Sequence, residues 1–374
     1  MSILGLILIG FVALTVAIHL ITSAMAALRS LRPARPTPTQ LPKIALLRPV
    51  CGVDPFDRET LGSSFNLDYP DYEVIFCAPS KADPACDLVA ELMAQNPHVK
   101  AQLLTGLDAV SGNPKLNNLH KGLAATDAQW LAMTDSNLLL PQDYLQRLLA
   151  EWRPGTGLVS APPVGTRASN LWGAIEAAFL NTNQARWQLA ADMLGFGFAQ
   201  GKTLFWNRDI LMKGGGFGAL GRNMAEDVAA TKLVRDQGLQ VRLARHLFAQ
   251  PIGTRAPRAV WERQLRWSKV RRDGFVFIFA AEIAQGPVLP FAAVIALVAT
   301  GIWPALALPG LFFLWYGVEW ALSRAAGWSA SWRDLAAWMI RDAMLPALWL
   351  ATWKDRRFTW RGNEMSHHET STGA

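Results

Sequence analysis

Between Ser2 and Leu28 there is no Asp, Glu, Lys or Arg, and Arg29, Arg32 and Arg35 come directly after. A run of that length and composition is long enough to cross a hydrocarbon layer of about 30 Å as a helix. A secretory signal would carry its positive charge ahead of the apolar run and a small-residue cleavage site behind it, so residues 1–28 are expected to be a retained transmembrane anchor. The arginines then place the domain on their C-terminal side in the cytoplasm. Pro33, Pro36, Pro38 and Pro42 make residues 29–42 a stiff linker.

The rest of the chain must agree with such an anchor. Of its 374 residues 51% are apolar, 17% are charged and 16 are Trp, a balance that suits wide membrane interfaces. The net charge of +7 therefore points to an anionic lipid surface and an anionic substrate; no nucleic-acid motif is present, and nucleic acid is not expected as a partner. Cys51, Cys77 and Cys86 are odd in number and lack metal-ligand spacing, so all three are expected to be reduced thiols buried as small hydrophobes.

From Lys43 onward short β-rich runs alternate with helical ones. Strands are expected at Ile44–Leu47, Glu73–Ala78, Ala101–Leu104, Trp130–Thr134, Gly157–Ala161 and Val241–Leu243, with helices at Ala82–Gln95 and Gln142–Trp152. This alternation implies an α/β domain over residues 43–274 with a mostly parallel sheet. Ligands of such sheets bind at the carboxyl ends of the strands, where Ser80 to Asp83 and Asp135 to Asn137 fall. Residues 275–353 change character. Apolar stretches from Gly286 to Trp303 and from Pro304 to Leu322 are expected as a helix hairpin in the membrane. In a third, Trp332 to Trp353, Arg333, Asp334, Arg341 and Asp342 would cost roughly 2.5 to 3.5 kcal/mol each at the bilayer centre, which favours an interfacial or re-entrant helix. Lys354, Arg356, Arg357 and Arg361 begin a polar cytoplasmic tail over residues 354–374.

Several stretches carry possible chemistry. Asp135 ends a hydrophobic strand and is followed by Ser136 and Asn137; a carboxylate there suits a divalent ion bridging a nucleotide diphosphate, and Asp-Ser-Asn is equally good turn chemistry. Asp83 before Pro84 reads as a helix cap that can also face a nucleotide. Lys115, in Asn113-Pro114-Lys115-Leu116-Asn117-Asn118, is either a phosphate partner or part of a solvated turn. Gly214, Gly215, Gly216, Gly218 and Gly221 allow close backbone approach to a ligand or form a mobile surface loop. Glu226 and Asp227 are adjacent carboxylates that suit a general base, or a helix first turn. On a helix Arg263, Arg266 and Trp267 share one face at i, i+3 and i+4.

In this order, Asp83, Asp135, Asp227 and Arg263-x-x-Arg266-Trp267, with Asn113-Pro114-Lys115-x-Asn117-Asn118 between the first two, resemble the ceramide glucosyltransferases and their bacterial relatives. The resemblance starts at Arg48-Pro49-Val50-Cys51-Gly52-Val53-Asp54, includes Leu67-Asp68-Tyr69-Pro70-Asp71-Tyr72-Glu73-Val74 and covers nearly the whole chain. It implies a membrane-anchored GT-A (nucleotide-diphospho-sugar transferase) fold and inverting transfer of glucose from UDP-glucose to the primary hydroxyl of ceramide, with Mg2+ or Mn2+. Carried over position by position, Asp83 lies by the nucleotide and Asp135 holds metal and diphosphate; apart from the resemblance, the residues themselves offer Asn137 as a metal or sugar contact and Lys115 for a phosphate. Asp227 is the general base, and Arg263, Arg266 and Trp267 close over the diphosphate and the acceptor. The expected setting is the inner membrane of a bacterium, with the catalytic domain in the cytoplasm and the acceptor, ceramide or another lipid, in the bilayer.

Two departures stand out. The animal enzymes have Gly where this chain has Asn137, which does not complete an Asp-x-Asp pair and so puts tight metal binding in doubt; they have His-Pro-Arg where it has Gln184-Ala185-Arg186. Other functions remain in view: transfer of N-acetylglucosamine to a hopanoid polyol, a processive polysaccharide synthase, which has few apolar segments here to form a channel, or a non-catalytic lipid binder. Of six histidines only His246, behind a predicted strand, is placed to take part in a site.

Overall fold

The computed structural model describes residues 2–223, 225–354, 358–360 and 363–365. Arg356, Arg357 and Arg361 of the terminal charge run, and His367 and His368, lie outside the described residues. The chain divides into two units: a sheet unit of Arg32–Thr166 with Ala191–Pro251, and a helical unit of Met1–Leu31, Arg167–Ala190 and Ile252–Ala374.

The strands up to Gly253 are β1 (Ile44–Pro49), β2 (Tyr72–Ala78), β3 (Ala101–Thr105), β4 (Trp130–Thr134), β5 (Thr156–Ser160), β6 (Pro163–Ala168), β7 (Thr203–Asn207), β8 (Gln240–Leu243) and β9 (Phe248–Gly253). Seven of them form one sheet in the order β3-β2-β1-β4-β7-β5-β8, while β6 and β9 pair separately. All six expected strands are present, Trp130–Thr134 at the expected bounds and the others with an end shifted by one or two residues. The β1–β2, β1–β4, β2–β3 and β5–β8 ladders are parallel. β7 was not foreseen; it runs antiparallel between β4 and β5, so the sheet is mixed. The reversal sets Thr203 opposite Thr134, which brings the turn at Gly201 and Lys202 beside Asp135; the Asp135 amide donates to the Lys202 carbonyl at 3.1 Å.

Alternation along the strands divides the core. Ile44, Leu46, Val74, Phe76 and Ala132 pack with Leu61, Val89, Tyr144 and Leu148 on one face. Ala45, Leu47, Ile75, Cys77 and Met133 pack with Leu116, Leu119, Leu211, Phe217, Ala230 and Val234 on the other. Both faces of a largely parallel sheet must be covered by helices, and here they are. Cys77 and Cys86 are buried as expected, whereas Cys51 is exposed because it follows β1 in a surface loop.

In the helical unit the first helix runs Ile3–Leu31, three residues past the expected anchor boundary. Ile3, Leu4, Leu6, Ile7, Leu14 and Ile21 on it are more than half exposed, while Val12 packs with Phe179, Val294, Leu311, Trp315 and Trp338. This is the one described helix long and apolar enough by itself to cross a membrane; Val276–Ala284 and Val288–Ala299 pass the same test only together, bent by 42°. The expected C-terminal hairpin is thus a twelve-residue helix, Val288–Ala299, followed by Ala307–Ala325. The third stretch is a 23-residue helix, Trp332–Lys354. Its inner charges are buried and paired within the protein: Arg341 lies 2.7 Å from Glu319 and 2.8 Å from Asp342, and it donates to Thr182 at 2.7 Å. The cost that the sequence assigns to them is offset by these partners.

Candidate active site

The carboxyl end of the sheet gathers the polar residues that the sequence distributes over more than a hundred positions. Asp135 follows β4, and the loop behind it is held by Arg48 of β1. The Arg48 guanidinium is fully buried, its proton affinity pushed down to about 10 by burial, and it donates to the carbonyls of Thr60 (2.9 Å), Ser136 (3.1 Å) and Leu138 (3.3 Å). Opposite stands Lys115, in the first turn of helix Pro114–Ala124. Asn113 caps that helix, accepting from the amides of Lys115 at 2.9 Å and Leu116 at 3.3 Å.

The Lys115 ammonium is no part of a solvated turn. It is buried within 2.6 Å of both Asp135 Oδ1 and Glu226 Oε1, and it donates to the Gly201 carbonyl at 2.7 Å. Burial works against its charge, but Asp135 and Glu226 outweigh this and raise its proton affinity above that of an ordinary lysine. Lys202 Nζ lies 2.9 Å from Asp135 Oδ2 and donates to Asn137 Oδ1 at 3.0 Å. Burial alone would raise the Asp135 carboxyl; the two lysines override it and hold the group well below the usual carboxylate range.

Glu226 and Asp227 open helix Glu226–Asp236, so the helix-start reading holds as well as the paired-carboxylate one. Their environments separate them. Glu226 is locked by Lys115 and by the Asn113 amide at 3.2 Å, whereas among the described residues Asp227, half-buried, accepts from the backbone N–H groups of Gly201 at 3.0 Å and Val228 at 2.8 Å. Burial, and then the Glu226 charge beside it, push the Asp227 carboxyl up to about 6. A Cβ at position 201 would stand 2.8 Å from Glu226 Oε1, so a larger residue there would have to displace that carboxylate. The glycine-rich stretch approaches protein rather than an open space, since a Cβ on Gly221 would fall 2.0 Å from Ser111 Cβ and one on Gly214 would strike Leu233. That stretch forms the helices Arg208–Lys213 and Gly216–Leu220 rather than a surface loop.

A divalent cation can be tested against this donor set. A carboxylate offers roughly four lone-pair sites, and Lys115 and Lys202 engage one on each oxygen of Asp135, whose side chain keeps 24% exposure. The set fits a cation held by one carboxylate together with substrate oxygens and water, the common Mg2+ arrangement. It does not form a cage of protein ligands: among the described residues no three His, Cys, Asp or Glu side chains converge.

Lys115, Asp135, Asn137 and Asp227 therefore belong to one connected centre. Asp83 has a separate set of partners, capping helix Ala85–Gln95 through the Ala85 amide (2.9 Å) and tying the Gly52 amide at 2.9 Å, so that its cap role joins the loops behind β1 and β2. Arg263, Arg266 and Trp267 lie in the helical unit, on helix Pro257–Gly274. There Arg263 is bound to the fully buried Glu176, which also lies 3.5 Å from Arg255, and Trp267 packs on Ala177, Leu180 and Ile252. Lys202, Gly201, Glu176 and the clamp role of Arg48 escape a reading of the sequence, because each acts on a partner remote in the chain. A lone Glu inside the apolar run Leu171–Ala178 was the one local signal for Glu176.

Residues 6–372 match the family described as Glycosyl transferase family 21. Ceramide glucosyltransferase 1 of Caenorhabditis elegans is 25% identical to the chain over 263 residues, which are 70% of this chain and 56% of that protein. Ceramide glucosyltransferase 3 of the same organism is 24% identical over 336 residues, 87% of this chain and 72% of that one. Among solved structures, the mannosyltransferase PcManGT from Pyrobaculum calidifontis, in complex with GDP-Man and Mn2+, superposes with a TM-score of 0.57 at 17% identity, covering 91% of this chain and 99% of that one. That likeness bears out the GT-A fold. The family match runs over nearly the full length and takes in every element that builds the centre: the chain belongs to glycosyl transferase family 21.

Proposed function

We propose that the protein is an inverting glucosyltransferase that moves glucose from UDP-glucose to the primary hydroxyl of ceramide, giving a β-linked glycolipid. The observation that carries this reading is Asp227: a half-buried carboxylate with raised proton affinity, accepting from the amide N–H groups of Gly201 and Val228 and joined through Gly201 and Glu226 to the Lys115–Asp135 pair. A general base works best with a proton affinity near the working pH.

In the reaction Asp227 takes the proton of the acceptor hydroxyl while the oxygen forms a bond to the anomeric carbon. The bond from that carbon to the diphosphate breaks, and UDP leaves with the electron pair. One base and one displacement invert the anomeric centre. Asp135, with Asn137 beside it, would hold Mg2+ or Mn2+, which supplies positive charge to the departing diphosphate when bound. Lys115 and Lys202 keep Asp135 ionised and add positive charge on the same side of the site. Asp83 would border the nucleotide. By the resemblance, Arg263, Arg266 and Trp267 of helix Pro257–Gly274 would act on the diphosphate and the acceptor.

The lipid acceptor goes with a membrane setting. The apolar helix Ile3–Leu31, the arginines after it and the exposed Phe277, Ile278, Phe313 and Trp332 support an integral protein, with residues 275–353 at the membrane and the catalytic domain on the cytoplasmic side of a bacterial inner membrane. The test is a product analysis. Purified protein receives labelled UDP-glucose, UDP-galactose, UDP-glucuronic acid or UDP-N-acetylglucosamine with ceramide, diacylglycerol or a hopanoid tetrol, and the lipids are resolved. Glucosylceramide is the expected product. Transfer confined to the hopanoid, or a polymer in place of a glycolipid, would overturn the assignment.

A further inference from the structure

Away from the carboxylate–lysine centre, the sheet unit holds a cavity of about 100 Å³ at the start of its own chain segment. Its walls come from Arg35 and Thr37 of the linker, Arg147 and Glu151 around helix Tyr144–Ala150, and Arg245 and His246 between β8 and β9. None of these belongs to the proposed transfer machinery.

The charges around it do not balance. Glu151 is shared by two guanidinium groups, Arg35 at 2.9 Å and Arg245 at 3.9 Å, while Asp143 is engaged by Arg147 at 2.8 Å. Three arginines and two carboxylates therefore line the cavity, which leaves it one positive charge in excess, and Arg242 and Arg153 stand close by together with Asp192. The crowding leaves marks on its neighbours. The Arg242 guanidinium is held below its ordinary proton affinity by burial and then by Arg153, and its Nε is buried without a hydrogen-bond partner. The His246 ring is lowered by burial and then by Arg147 and Arg245, and it hydrogen-bonds the Arg32 backbone at the rim of the cavity.

We propose that this cavity binds a phosphate group, that of an anionic lipid headgroup in preference to phosphate in solution. Planar guanidinium forks suit phosphate oxygens geometrically as well as by charge. The space holds several water-sized oxygens, since one such position needs only about 10–15 Å³. The chain itself argues for the lipid. Ala34 and Arg35 lie three and four residues beyond Leu31, the end of the apolar helix, and four residues reach at most about 14 Å. The lipid source rests on the reading of that helix as a membrane span, whereas the phosphate site does not.

Binding is read by calorimetric titration of the full-length protein in a neutral detergent, with dihexanoyl phosphatidic acid, dihexanoyl phosphatidylcholine and inorganic phosphate as probes. Phosphatidic acid is expected to bind saturably and phosphatidylcholine not to bind. Thr37→Glu adds an anion at an exposed position without removing an ion pair, and should weaken binding by about tenfold or more. Arg147→Ala with Arg245→Ala should do the same, with circular dichroism used to check that both variants stay folded. No binding of either anion, or unchanged affinity in folded Thr37→Glu, would overturn the site. Binding of inorganic phosphate without phosphatidic acid would uphold the site and overturn the lipid assignment. Transfer activity is followed in the same samples: its absence alongside intact phosphatidic acid binding would strike the transferase reading and leave this one standing.

Discussion

An aspartate serves as a base near neutral pH only where its surroundings disfavour its charge, and at Asp227 burial and Glu226 do so together. The proton must be off for Asp227 to act, so transfer should rise with pH through about 6 and fall away below it. Glu226→Gln removes the adjacent like charge and should move this acid limb to lower pH in the profile of kcat/KM; an unmoved limb would mean that another group sets it. Lys202 occupies one oxygen of Asp135, so Lys202→Met should tighten Mn2+ binding, read by electron paramagnetic resonance of the full-length protein, with weaker binding as the contrary result. Adjacent acids at 226 and 227 and a strand-end Asp135 are legible in a sequence because their signals are local. The role of Lys115 is not, since its partner Glu226 lies 111 positions away and only the fold decides between phosphate ligand, solvated turn and internal lock.

At the scale of elements, hydrophobic alternation foretells every strand of the sheet but β7, whose five residues are bounded by the turn at Gly201 and Lys202 and by Arg208. Its antiparallel insertion brings Lys202 to Asp135, so the missed element is also the one that completes the site. The C-terminal helices are more broken than the apolar run that announces them. An apolar run predicts a span, yet Val288–Ala299 reaches only about 18 Å at 1.5 Å per residue, well short of the hydrocarbon thickness. In Trp332–Lys354 the buried Arg341 joins Glu319 and Asp342. Arg341→Leu leaves two carboxylates buried without their cation and should cost about 3–5 kcal/mol in unfolding measured in detergent. Arg341→Leu combined with Glu319→Leu should cost less than the single change; a larger loss would show that these charges do not act as a pair.

For the whole molecule, the sequence announces an apolar leader, an α/β body and an apolar last third, and the structure regroups them. The leader shares a core with the last third, while residues 32–166 and 191–251 form the sheet unit. With Ile3, Leu4, Leu6 and Ile7 presented outward, the protein should stay with the membrane pellet after alkaline carbonate washing; release into the supernatant would remove the lipid-facing reading. What no sequence pattern discloses is the identity of donor and acceptor, which depends on a few pocket contacts rather than on the order of motifs. The proposed chemical step is deprotonation of a lipid hydroxyl by Asp227 in a single inverting displacement. Its most direct test is the anomeric configuration and yield of the glycolipid formed from UDP-glucose and ceramide by the unaltered protein and by Asp227→Asn. A β-glucoside is expected from the first and none from the second; an α-linked product, or undiminished transfer by Asp227→Asn, would rule out that step.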